Sequence, residues 1–342
     1  MKLISFAIPS YNSEDYLHHA VETILSGGED VEIIIVNDGS KDGTAAIADE
    51  FAAKYPTIVR AIHKPNGGHG SGVNRGLQEA TGLYYKVVDS DDWVDEDALR
   101  ALLLTIKRHI SKGLDVDLYI TNFIYDKVCI GKQCCRNWEK KLPVGRIFGW
   151  EEVKPFRLSQ SLLMHNLMYK TQILRESGLE LPEHTFYVDN LFAYQPLPYT
   201  RSIFYLDVDL YHYFIGRDDQ SVTMKNIIAR YDQQIRVMNR MLGAYTYEEL
   251  MAMEPGLRRY MLQDLNVIMM TTLMFCCSGG NTETRRAAYQ KLWDDLKQRD
   301  PQLYHYLFTK GYPATVTWMP WKMRGTLMLW GYKFLQKTLK LG

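Results

Sequence analysis

The chain has 342 residues, which exceeds one average domain and favours one large domain with a smaller appendage. Apolar residues make up 46% and charged residues 23%, a globular composition that excludes a disordered chain. The 40 basic residues balance the 40 acidic residues, so no overall field draws the protein to nucleic acid. Any anion that the protein binds must therefore be held by a local site.

The N-terminus and the cysteines bear on the cellular compartment. The segment Met1–Pro9 has a short apolar run broken by proline, which is too short for a signal peptide and predicts a buried first strand. No uninterrupted apolar stretch approaches the about 18 residues that a membrane-spanning helix needs. The five cysteines are odd in number and include two vicinal pairs, which favours reduced thiols over a disulfide framework or a zinc site. These features predict a cytoplasmic protein.

Strand and helix patterns alternate over the first third of the chain. The predicted strands are Leu3–Ile8, Val31–Asn37, Ile58–His63, Tyr84–Val88 and Leu118–Ile124. The predicted helices between them are Glu14–Ser26, Thr44–Lys54, Ser71–Ala80 and Asp95–His109. Continuous apolar strands separated by helices are typical of a parallel sheet covered on both faces. The pattern predicts an α/β fold with a Rossmann-like, mainly parallel, doubly wound sheet.

The rest of the chain is less regular and then becomes helical. Residues 125–149 are irregular and basic, which fits either a hairpin or a loop over the sheet. Residues 151–216 mix short helices with strand-like runs at Ile203–Leu206 and Leu210–Phe214. The helices predicted beyond residue 221 are Met224–Leu242, Glu248–Cys276, Thr282–Gln298 and Gly325–Leu339. We therefore predict a first domain at 1–218 and a helical C-terminal region at 219–342.

Three polar clusters follow predicted strands. They are Pro9–Glu14 after the first strand, Asn37–Gly43 after the second and Asp89–Asp92 after the fourth. Parallel sheets bind their ligands at the carboxyl ends of the strands, where the strand order reverses. The fold should therefore bring these clusters to one edge.

The cluster Asp89-Ser90-Asp91-Asp92 directly follows an apolar strand. Three carboxylates in four residues repel one another unless a cation lies among them. Mn²⁺ and Mg²⁺ take oxygen ligands from one or two carboxylates, with phosphate and water completing the shell. Helix capping is the alternative, but the acidic residues that start at Asp95 suffice for that purpose. The cluster therefore predicts a site for a metal–diphosphate complex.

Two further segments suit a nucleotide. Asp38 can accept a hydrogen bond from a base N–H or a ribose hydroxyl, or it can only shape the turn before Gly39. The segment Asn66–Gly76 holds five glycines before a helix, and such a loop lets backbone N–H groups approach a phosphate or a ring. Its spacing fits neither the dinucleotide fingerprint nor the P-loop.

Four motifs in this order resemble the family-2 glycosyltransferases of the GT-A fold. They stand here as Pro9–Glu14, Val36–Thr44, Asn66–Leu77 and Val88–Trp93. The resemblance covers about the first 110 residues, and a weaker one extends to about residue 225. It implies inverting transfer from a nucleoside diphosphate sugar, usually a UDP-sugar, with Mn²⁺ or Mg²⁺. Members of this type build bacterial cell-surface polysaccharides.

The resemblance also implies roles for individual residues. Tyr11 and Glu14 resemble nucleoside contacts, and Asp38 resembles the carboxylate that reads the uracil. Asp91 is expected to be the principal metal ligand, with Asp92 beside it and Asp89 on the ribose, the sugar or the metal. The remaining residues expected to bind the nucleotide sugar are Pro9, Asn66, Gly68, Asn74 and Ser90.

One position departs from the family pattern. Gly72-Val73-Asn74 stands where the family commonly has Ala-Arg-Asn, so the usual arginine is missing. Either His69 or Arg75 could replace it, and the sequence leaves both open.

The resemblance implies a general base and a phosphate contact further along the chain. Asp189 matches the acidic residue that deprotonates the acceptor, although Val188 replaces the glutamate that often precedes it. Helix capping is the alternative for Asp189. Arg217 matches a closing segment and suits phosphate, because guanidinium binds phosphate oxygens in pairs. His165 fits either an acceptor pocket or a core position.

The last segment is basic and aromatic. From Trp318 to Leu341 it has five cations, three tryptophans and no acidic residue. Such a helix suits a bilayer surface, where rings lie at headgroup depth and cations meet anionic lipid. The alternative is a core helix. The first interpretation predicts peripheral membrane contact through 315–342 at the inner face of the cell membrane.

The sequence thus predicts a glycosyltransferase that moves a hexosyl or N-acetylhexosaminyl group to a hydroxyl of a glycan or lipid-linked acceptor. A nucleotidyltransferase is one alternative, but it would carry a basic, glycine-rich signature where Pro9-Ser10-Tyr11-Asn12 stands. A non-catalytic nucleotide-sugar-binding protein is the other, and it would not need a base such as Asp189. The sequence indicates neither the donor sugar nor the oligomeric state.

Overall fold

The computed structural model describes residues 1–127, 132–158, 160–215, 226, 229–278, 282–327 and 330. The chain divides into two compact units, Met1–Arg217 and Asp218–Gly342. The predicted division into domains at 1–218 and 219–342 stays a prediction.

The first unit is built on a sheet that comprises ten strands in the described residues. The strands are β1 (Ile4–Ser10), β2 (Val31–Asn37), β3 (Val59–His63), β4 (Tyr84–Val87), β5 (Trp93–Val94), β6 (Leu118–Lys127), β7 (Lys132–Arg136), β8 (Ile147–Phe148), β9 (Leu167–Lys170) and β10 (Ile203–Phe214). The helices are α1 (Leu17–Leu25), α2 (Thr44–Lys54), α3 (His69–Glu79), α4 (Glu96–Ser111), α5 (Thr171–Glu176) and α6 (Asp189–Tyr194).

The strand order is β3-β2-β1-β4-β9-β6-β10-β5, with β7 beside β6 and β8 beside β10. Strands β3, β2, β1 and β4 pair in parallel, as do β6 and β10. The predicted Rossmann-like α/β architecture is therefore confirmed. The antiparallel strand β9 between β4 and β6 was not predicted, because its partners lie far away in sequence.

Two glycines of the glycine-rich segment let α3 lie directly on β1. A Cβ atom at Gly76 would come within 2.6 Å of the Ala7 Cβ, and one at Gly72 within 2.8 Å of the Pro9 Cβ. They lie four residues apart and so share one face of the helix. These two glycines therefore serve helix–sheet packing, whereas the sequence had suggested a loop for phosphate or ring contact.

Two ambiguous regions are resolved by strand pairing. Strands β6 and β7 form an antiparallel hairpin, which is one of the two predicted alternatives for this region. The two runs Ile203–Leu206 and Leu210–Phe214 belong to one strand, β10, whose pairing with β6 shifts register between Tyr205 and Tyr211. This irregularity explains why the sequence pattern showed a break.

The second unit is helical where it is described. Its helices are α7 (Tyr231–Ala244), α8 (Tyr247–Ala252), α9 (Pro255–Cys277), α10 (Thr282–Arg299), α11 (Pro301–Thr309) and α12 (Ala314–Thr317). The helix predicted at Glu248–Cys276 is divided because Pro255 begins a new helix, and α11 was not predicted. Residues 321–327 are also helical, whereas most of the predicted helix Gly325–Leu339 lies outside the described residues.

Helix α9 is long and apolar enough to cross a membrane by length and composition, with a mean hydropathy of 1.2. It is the one such helix among the described residues, and 72% of its apolar window is buried inside the protein. A buried core helix passes the same test. The sequence pattern predicted a helix here but no stretch long enough to span a membrane, because Asp264 and other polar residues interrupt the apolar run.

Candidate active site

The three polar clusters meet at one edge of the sheet, as the strand pattern predicted. The Asp38 N–H donates to the Ser10 carbonyl at 2.9 Å, which joins the ends of β1 and β2. The hydroxyl groups of Ser13 and Ser90 lie 2.7 Å apart, which joins the end of β1 to the acidic turn after β4. Ser13 and Ser90 are both buried, so this connection is internal.

The turn after β1 is held by the turn after β2. The Glu14 carboxylate accepts the Gly43 N–H at 2.7 Å, so this predicted nucleoside contact braces the neighbouring loop. Asn12 accepts the Lys41 N–H at 2.9 Å and adopts a left-handed conformation with a φ of 49°. Tyr11 is 49% exposed at this edge, and its ring is available for stacking. Pro9 lies within β1, under Gly72 of α3.

The Asp38 carboxylate organises the glycine-rich segment. It accepts the N–H groups of Gly67 and Gly68 at 2.9 and 2.7 Å, and it pairs with the Lys64 ammonium at 2.6 Å. The Asn66 side chain donates to the Asp38 carbonyl at 2.9 Å. Asp38 is buried, and these partners occupy both of its carboxylate oxygens. The geometry therefore favours the turn-shaping alternative, with the predicted uracil contact left as a proposal.

The glycine-rich segment in turn docks the loop that precedes Asp189. The His184 N–H donates to the Gly67 carbonyl at 2.7 Å. Gly68 has a φ of 83°, and a Cβ there would lie 3.1 Å from the His184 nitrogen. The Asn74 side chain exchanges two hydrogen bonds with the Leu181 backbone, at 2.8 and 2.9 Å. The side chain of Asn74, which was predicted to bind the nucleotide sugar, is thus hydrogen-bonded to this loop.

The acidic turn after β4 contributes to a group that could hold a metal ion. Ligand atoms of Asp89, Asp92 and His165 all lie within 4.8 Å of one another, and we call these three residues the acid–histidine cluster. His165 Nε2 is 3.9 Å from Asp89 Oδ2, and its Nδ1 is buried without a hydrogen-bond partner. Asp91, predicted as the principal ligand, is not a member of this group, whereas Asp92 is.

The acid–histidine cluster is electrostatically strained. Burial, together with the negative charges of Asp91 and Asp89, raises the pKa of Asp92 well above its usual range. Burial opposes ionisation of Asp89, but interactions with His69 and His165 hold its pKa well below the ordinary value. A divalent cation would relieve the repulsion between these carboxylates.

His69 faces the acidic residues from the start of α3. Its Nε2 lies 2.7 Å from an Asp89 oxygen. Burial lowers the pKa of His69, but the charge and hydrogen bond of Asp89, joined by the charges of Asp189 and Asp91, raise it above the ordinary value. Arg75 instead pairs with Glu79 at 2.8 Å on the surface of α3. Of the two candidates for the missing arginine, only His69 faces the site.

Asp189 begins α6 beside the acid–histidine cluster. Burial raises the pKa of Asp189, while the nearby His165 and His69 oppose that rise. Asp189 is the first residue of the helix and also accepts a backbone hydrogen bond at Asn190, so its role at the helix start stays an alternative to the role of base. Tyr187 has a φ of 66°, an uncommon conformation that turns the chain just before Asp189.

Two buried residues of this region were not singled out from the sequence. Lys86 of β4 donates to the His165 carbonyl at 2.7 Å, and burial lowers its pKa to about 7. Tyr211 of β10 donates to Asp92 Oδ2 at 2.5 Å. Lys86 could have been found from the sequence, because it is a lysine within an apolar strand. No neighbouring residue in the sequence indicates a special role for Tyr211. Arg217, the predicted phosphate contact, lies outside the described residues.

Comparison with known proteins identifies one matching family. Residues 5–122 match the protein family described as "Glycosyl transferase family 2". The putative glycosyltransferase EpsH of Bacillus subtilis is 29% identical over 245 residues, which cover 68% of this chain and 64% of EpsH. The glycosyltransferase GlyG of Streptococcus pneumoniae is 37% identical over 129 residues, covering 37% of this chain and 41% of GlyG. The chain therefore spans less than two-thirds of the length of these relatives.

Two solved structures share the fold. TarS 1–349 of S. aureus in complex with UDP-GlcNAc aligns over 90% of this chain and 84% of its own, with a TM-score of 0.63 and 19% identity. The mannosyltransferase PcManGT of Pyrobaculum calidifontis in complex with GDP-Man and Mn²⁺ aligns over 95% of this chain and 84% of its own, with a TM-score of 0.52 and 13% identity. At these low sequence identities, the structural similarity establishes the GT-A fold and nothing further.

Proposed function

We propose that this chain, whose residues 5–122 match glycosyl transferase family 2, transfers a sugar from a nucleoside diphosphate sugar to a hydroxyl of a glycan or lipid-linked acceptor. The observation that carries the proposal is the acid–histidine cluster beside Asp189, at the edge where the strand-end clusters meet. Sugar transfer needs both a charge stabiliser for the leaving diphosphate and a base for the acceptor. This edge offers residues for both.

The proposed donor is a UDP-sugar, with an N-acetylhexosaminyl or hexosyl group. The complex of TarS with UDP-GlcNAc supports this class, because that protein has the same fold. The exposed ring of Tyr11 is the proposed stacking partner of the base, and Ser90 and Asp89 are the proposed contacts of the ribose and sugar. Gly68 and Asn66 act by holding the glycine-rich segment against Asp38.

The acid–histidine cluster fits a divalent cation. It offers two carboxylate oxygens and one imidazole nitrogen, and the buried Nε2 side of His165 faces Asp89. Because Mg²⁺ takes oxygen ligands, the nitrogen of His165 favours Mn²⁺. PcManGT was solved with Mn²⁺, which supports this choice. When bound, the ion would neutralise charge on the departing diphosphate.

Asp189 is the proposed base. Its carboxylate takes the proton of the acceptor hydroxyl while that oxygen attacks the anomeric carbon on the face opposite the diphosphate. The new carbon–oxygen bond forms as the bond to the phosphate oxygen breaks, and that oxygen keeps the electron pair. The configuration therefore inverts. A base works best with a pKa near the working pH, and burial raises the pKa of Asp189 in that direction.

The substitution Asp189→Asn tests this assignment. We expect transfer to fall by about 10²–10⁴-fold, as loss of a general base does, while UDP-sugar binding is retained. Asp95→Asn is the matched control, because Asp95 caps α4 by accepting the Ala98 N–H at 2.8 Å. The control should keep full activity.

Unchanged turnover of Asp189→Asn would remove this residue from the mechanism and favour a non-catalytic, nucleotide-sugar-binding role. Release of pyrophosphate from a nucleoside triphosphate would instead indicate a nucleotidyltransferase.

We also propose that the end of the chain contacts an anionic membrane surface from the cytoplasmic side. Trp318 is 73% exposed, Trp330 67% and Met323 55%. No acidic residue occurs between 301 and 342, while Lys310 and Lys322 add positive charge to the same stretch of the sequence. Exposed aromatic and basic residues together suit the headgroup region of a bilayer. A lipid-linked acceptor would lie on that surface.

Flotation of the full chain with vesicles tests the membrane proposal. The double variant Trp318→Ser, Trp330→Ser should lose binding to vesicles that contain phosphatidylglycerol. Leu104→Ser removes an equally exposed apolar side chain, 68% exposed on α4, and should bind as the wild type does. Equal flotation of all three proteins would rule out this surface.

A further inference from the structure

Tyr211 of β10 contacts every member of the acid–histidine cluster. Its hydroxyl donates to Asp92 Oδ2 at 2.5 Å and accepts the Asp89 N–H at 3.2 Å. Its ring packs edge-on against the His165 ring, with the ring centroids 4.9 Å apart. Tyr211 is fully buried, so water does not compete for these contacts.

Strand β10 holds both oxygens of the Asp92 carboxylate. Tyr211 binds Oδ2, and the Phe214 N–H donates to Oδ1 at 2.8 Å. Two donors on opposite oxygens fix the plane of a carboxylate and leave its remaining lone pairs for other partners. Asp92 is itself buried, so its orientation depends on these two bonds.

The same strand fixes the ring of His165. Tyr211 and Tyr213 point to the same face of β10 because they are two residues apart. Each packs edge-on against the His165 ring, at centroid distances of 4.9 Å. Lys86 holds the backbone of this residue through the His165 carbonyl. The ring plane of His165 is thus set by packing, since its Nδ1 has no hydrogen-bond partner.

We propose that Tyr211 is a positioning residue that presents Asp92 and His165 to a divalent cation. This inference rests on the proposed function, because it presumes that the acid–histidine cluster binds a metal. Residues that orient metal ligands are commonly worth about 10–100-fold in metal affinity. Tyr211 acts through Asp92 and His165 and does not itself ligate the ion.

Binding of Mn²⁺ in the absence of donor tests the proposal. Titration followed by electron paramagnetic resonance should give a Kd about 10–100-fold higher for Tyr211→Phe than for the wild type. The KM for Mn²⁺ in transfer assays should rise by a similar factor, while kcat at saturating Mn²⁺ changes less. A role in folding alone would not move the Kd of folded protein.

Tyr205→Phe is the matched control. Tyr205 is also fully buried on β10. Its hydroxyl lies 2.7 Å from Asn122 Oδ1 and 2.8 Å from Asp207 Oδ1, either of which can accept its proton, and neither residue belongs to the cluster. This variant should lose stability but keep the wild-type Kd for Mn²⁺. Equal Kd values for the wild type and Tyr211→Phe, or equal increases in both tyrosine variants, would overturn the proposal. Absence of Mn²⁺ binding by the wild type would instead refute the metal part of the proposed function.

Asp92→Asn covers the case in which Tyr211→Phe does not fold. Asparagine keeps an oxygen that can accept from Tyr211 but loses the negative charge. If Tyr211 acts through Asp92, Asp92→Asn must weaken Mn²⁺ binding at least tenfold. Wild-type Mn²⁺ affinity in this variant would overturn the proposal without any measurement on Tyr211.

Discussion

The side-chain amide of Asn74 and the backbone of Leu181 exchange two hydrogen bonds, at 2.8 and 2.9 Å, much as two paired strands do. Asn74 lies on α3, and Leu181 begins the loop that leads to Asp189. Leu181 is buried, so no water replaces the amide if it is removed. One side chain thus connects the helix of the glycine-rich segment to the proposed base.

The first prediction concerns Asn74→Ala. The change leaves the Leu181 N–H and carbonyl buried without partners, which should cost about 1–3 kcal/mol of unfolding free energy. It should also lower kcat more than it raises the donor KM, since Asp189 is displaced while the donor turns remain. Urea denaturation and steady-state kinetics measure the two effects.

Arg75→Ala is the control for Asn74→Ala at the next position of α3. Its ion pair with Glu79 is exposed and spans one helical turn, so the loss should be about 0.3–0.5 kcal/mol with unchanged kinetics. Wild-type kcat in Asn74→Ala would show that the loop keeps Asp189 in place without this amide.

The second prediction separates the two roles of Asp38. Asp38→Asn removes the ion pair with Lys64 and sets the NH₂ group of asparagine against the N–H of Gly67 or Gly68, which then has no acceptor. We expect the free energy of unfolding to fall by about 2–3 kcal/mol. Because the loop itself is disturbed, affinity should fall by a similar factor for UDP and for other nucleoside diphosphates. Thermal unfolding and competition binding measure these quantities.

Asp97→Asn serves as the control, because the Asp97 side chain is 90% exposed and pairs with Arg100 on the surface of α4, where an ion pair contributes little. A loss confined to uridine nucleotides, with stability unchanged in Asp38→Asn, would instead support a direct contact with the base.

The sequence located the acidic turn but not the partners that complete it. Asp89 and Asp92 stand out because charge follows a buried strand directly. His165 reaches them only because β9 inserts antiparallel between β4 and β6, a pairing that no local pattern encodes. The same limit applies to Tyr211, which is one tyrosine of an ordinary strand until β10 is placed beside β6.

The fold was more predictable than the site for a physical reason. Strands β1 and β2 are buried along their whole length, so their apolar runs carry the signal by themselves. Gly72 and Gly76 were harder to interpret, because close packing of α3 on β1 and a phosphate-binding loop both require glycine. The sequence cannot distinguish these two uses of glycine, whereas the structure can.

The third prediction concerns the buried Lys86. Burial lowers its pKa to about 7, against about 10.4 in an unfolded chain. Between these values the unfolded state binds more protons, so raising the pH should stabilise the folded protein. From pH 7 to 9 in EDTA this group should add about 2 kcal/mol.

Lys86→Met should flatten that pH dependence in urea denaturation, whereas Lys107→Met should not, since Lys107 is exposed beside Asp30. A wild-type stability that does not rise over this window relative to Lys86→Met would mean that the ammonium stays charged when buried.

The last prediction compares two glycines with positive φ. Gly68 has a φ of 83°, and an alanine Cβ there would lie 3.1 Å from the His184 nitrogen and 3.2 Å from its Cα. Both are backbone atoms, so the loop that leads to Asp189 must move away. Gly113 has a φ of 65° and nothing within 4 Å of its missing Cβ, so Gly113→Ala carries the conformational cost alone, about 1–2 kcal/mol. We therefore expect Gly68→Ala to lose more stability than Gly113→Ala and, unlike it, to lower kcat at least tenfold. Equal kcat in the two variants, measured at saturating donor and Mn²⁺, would mean that docking of this loop on the glycine-rich segment does not place the base.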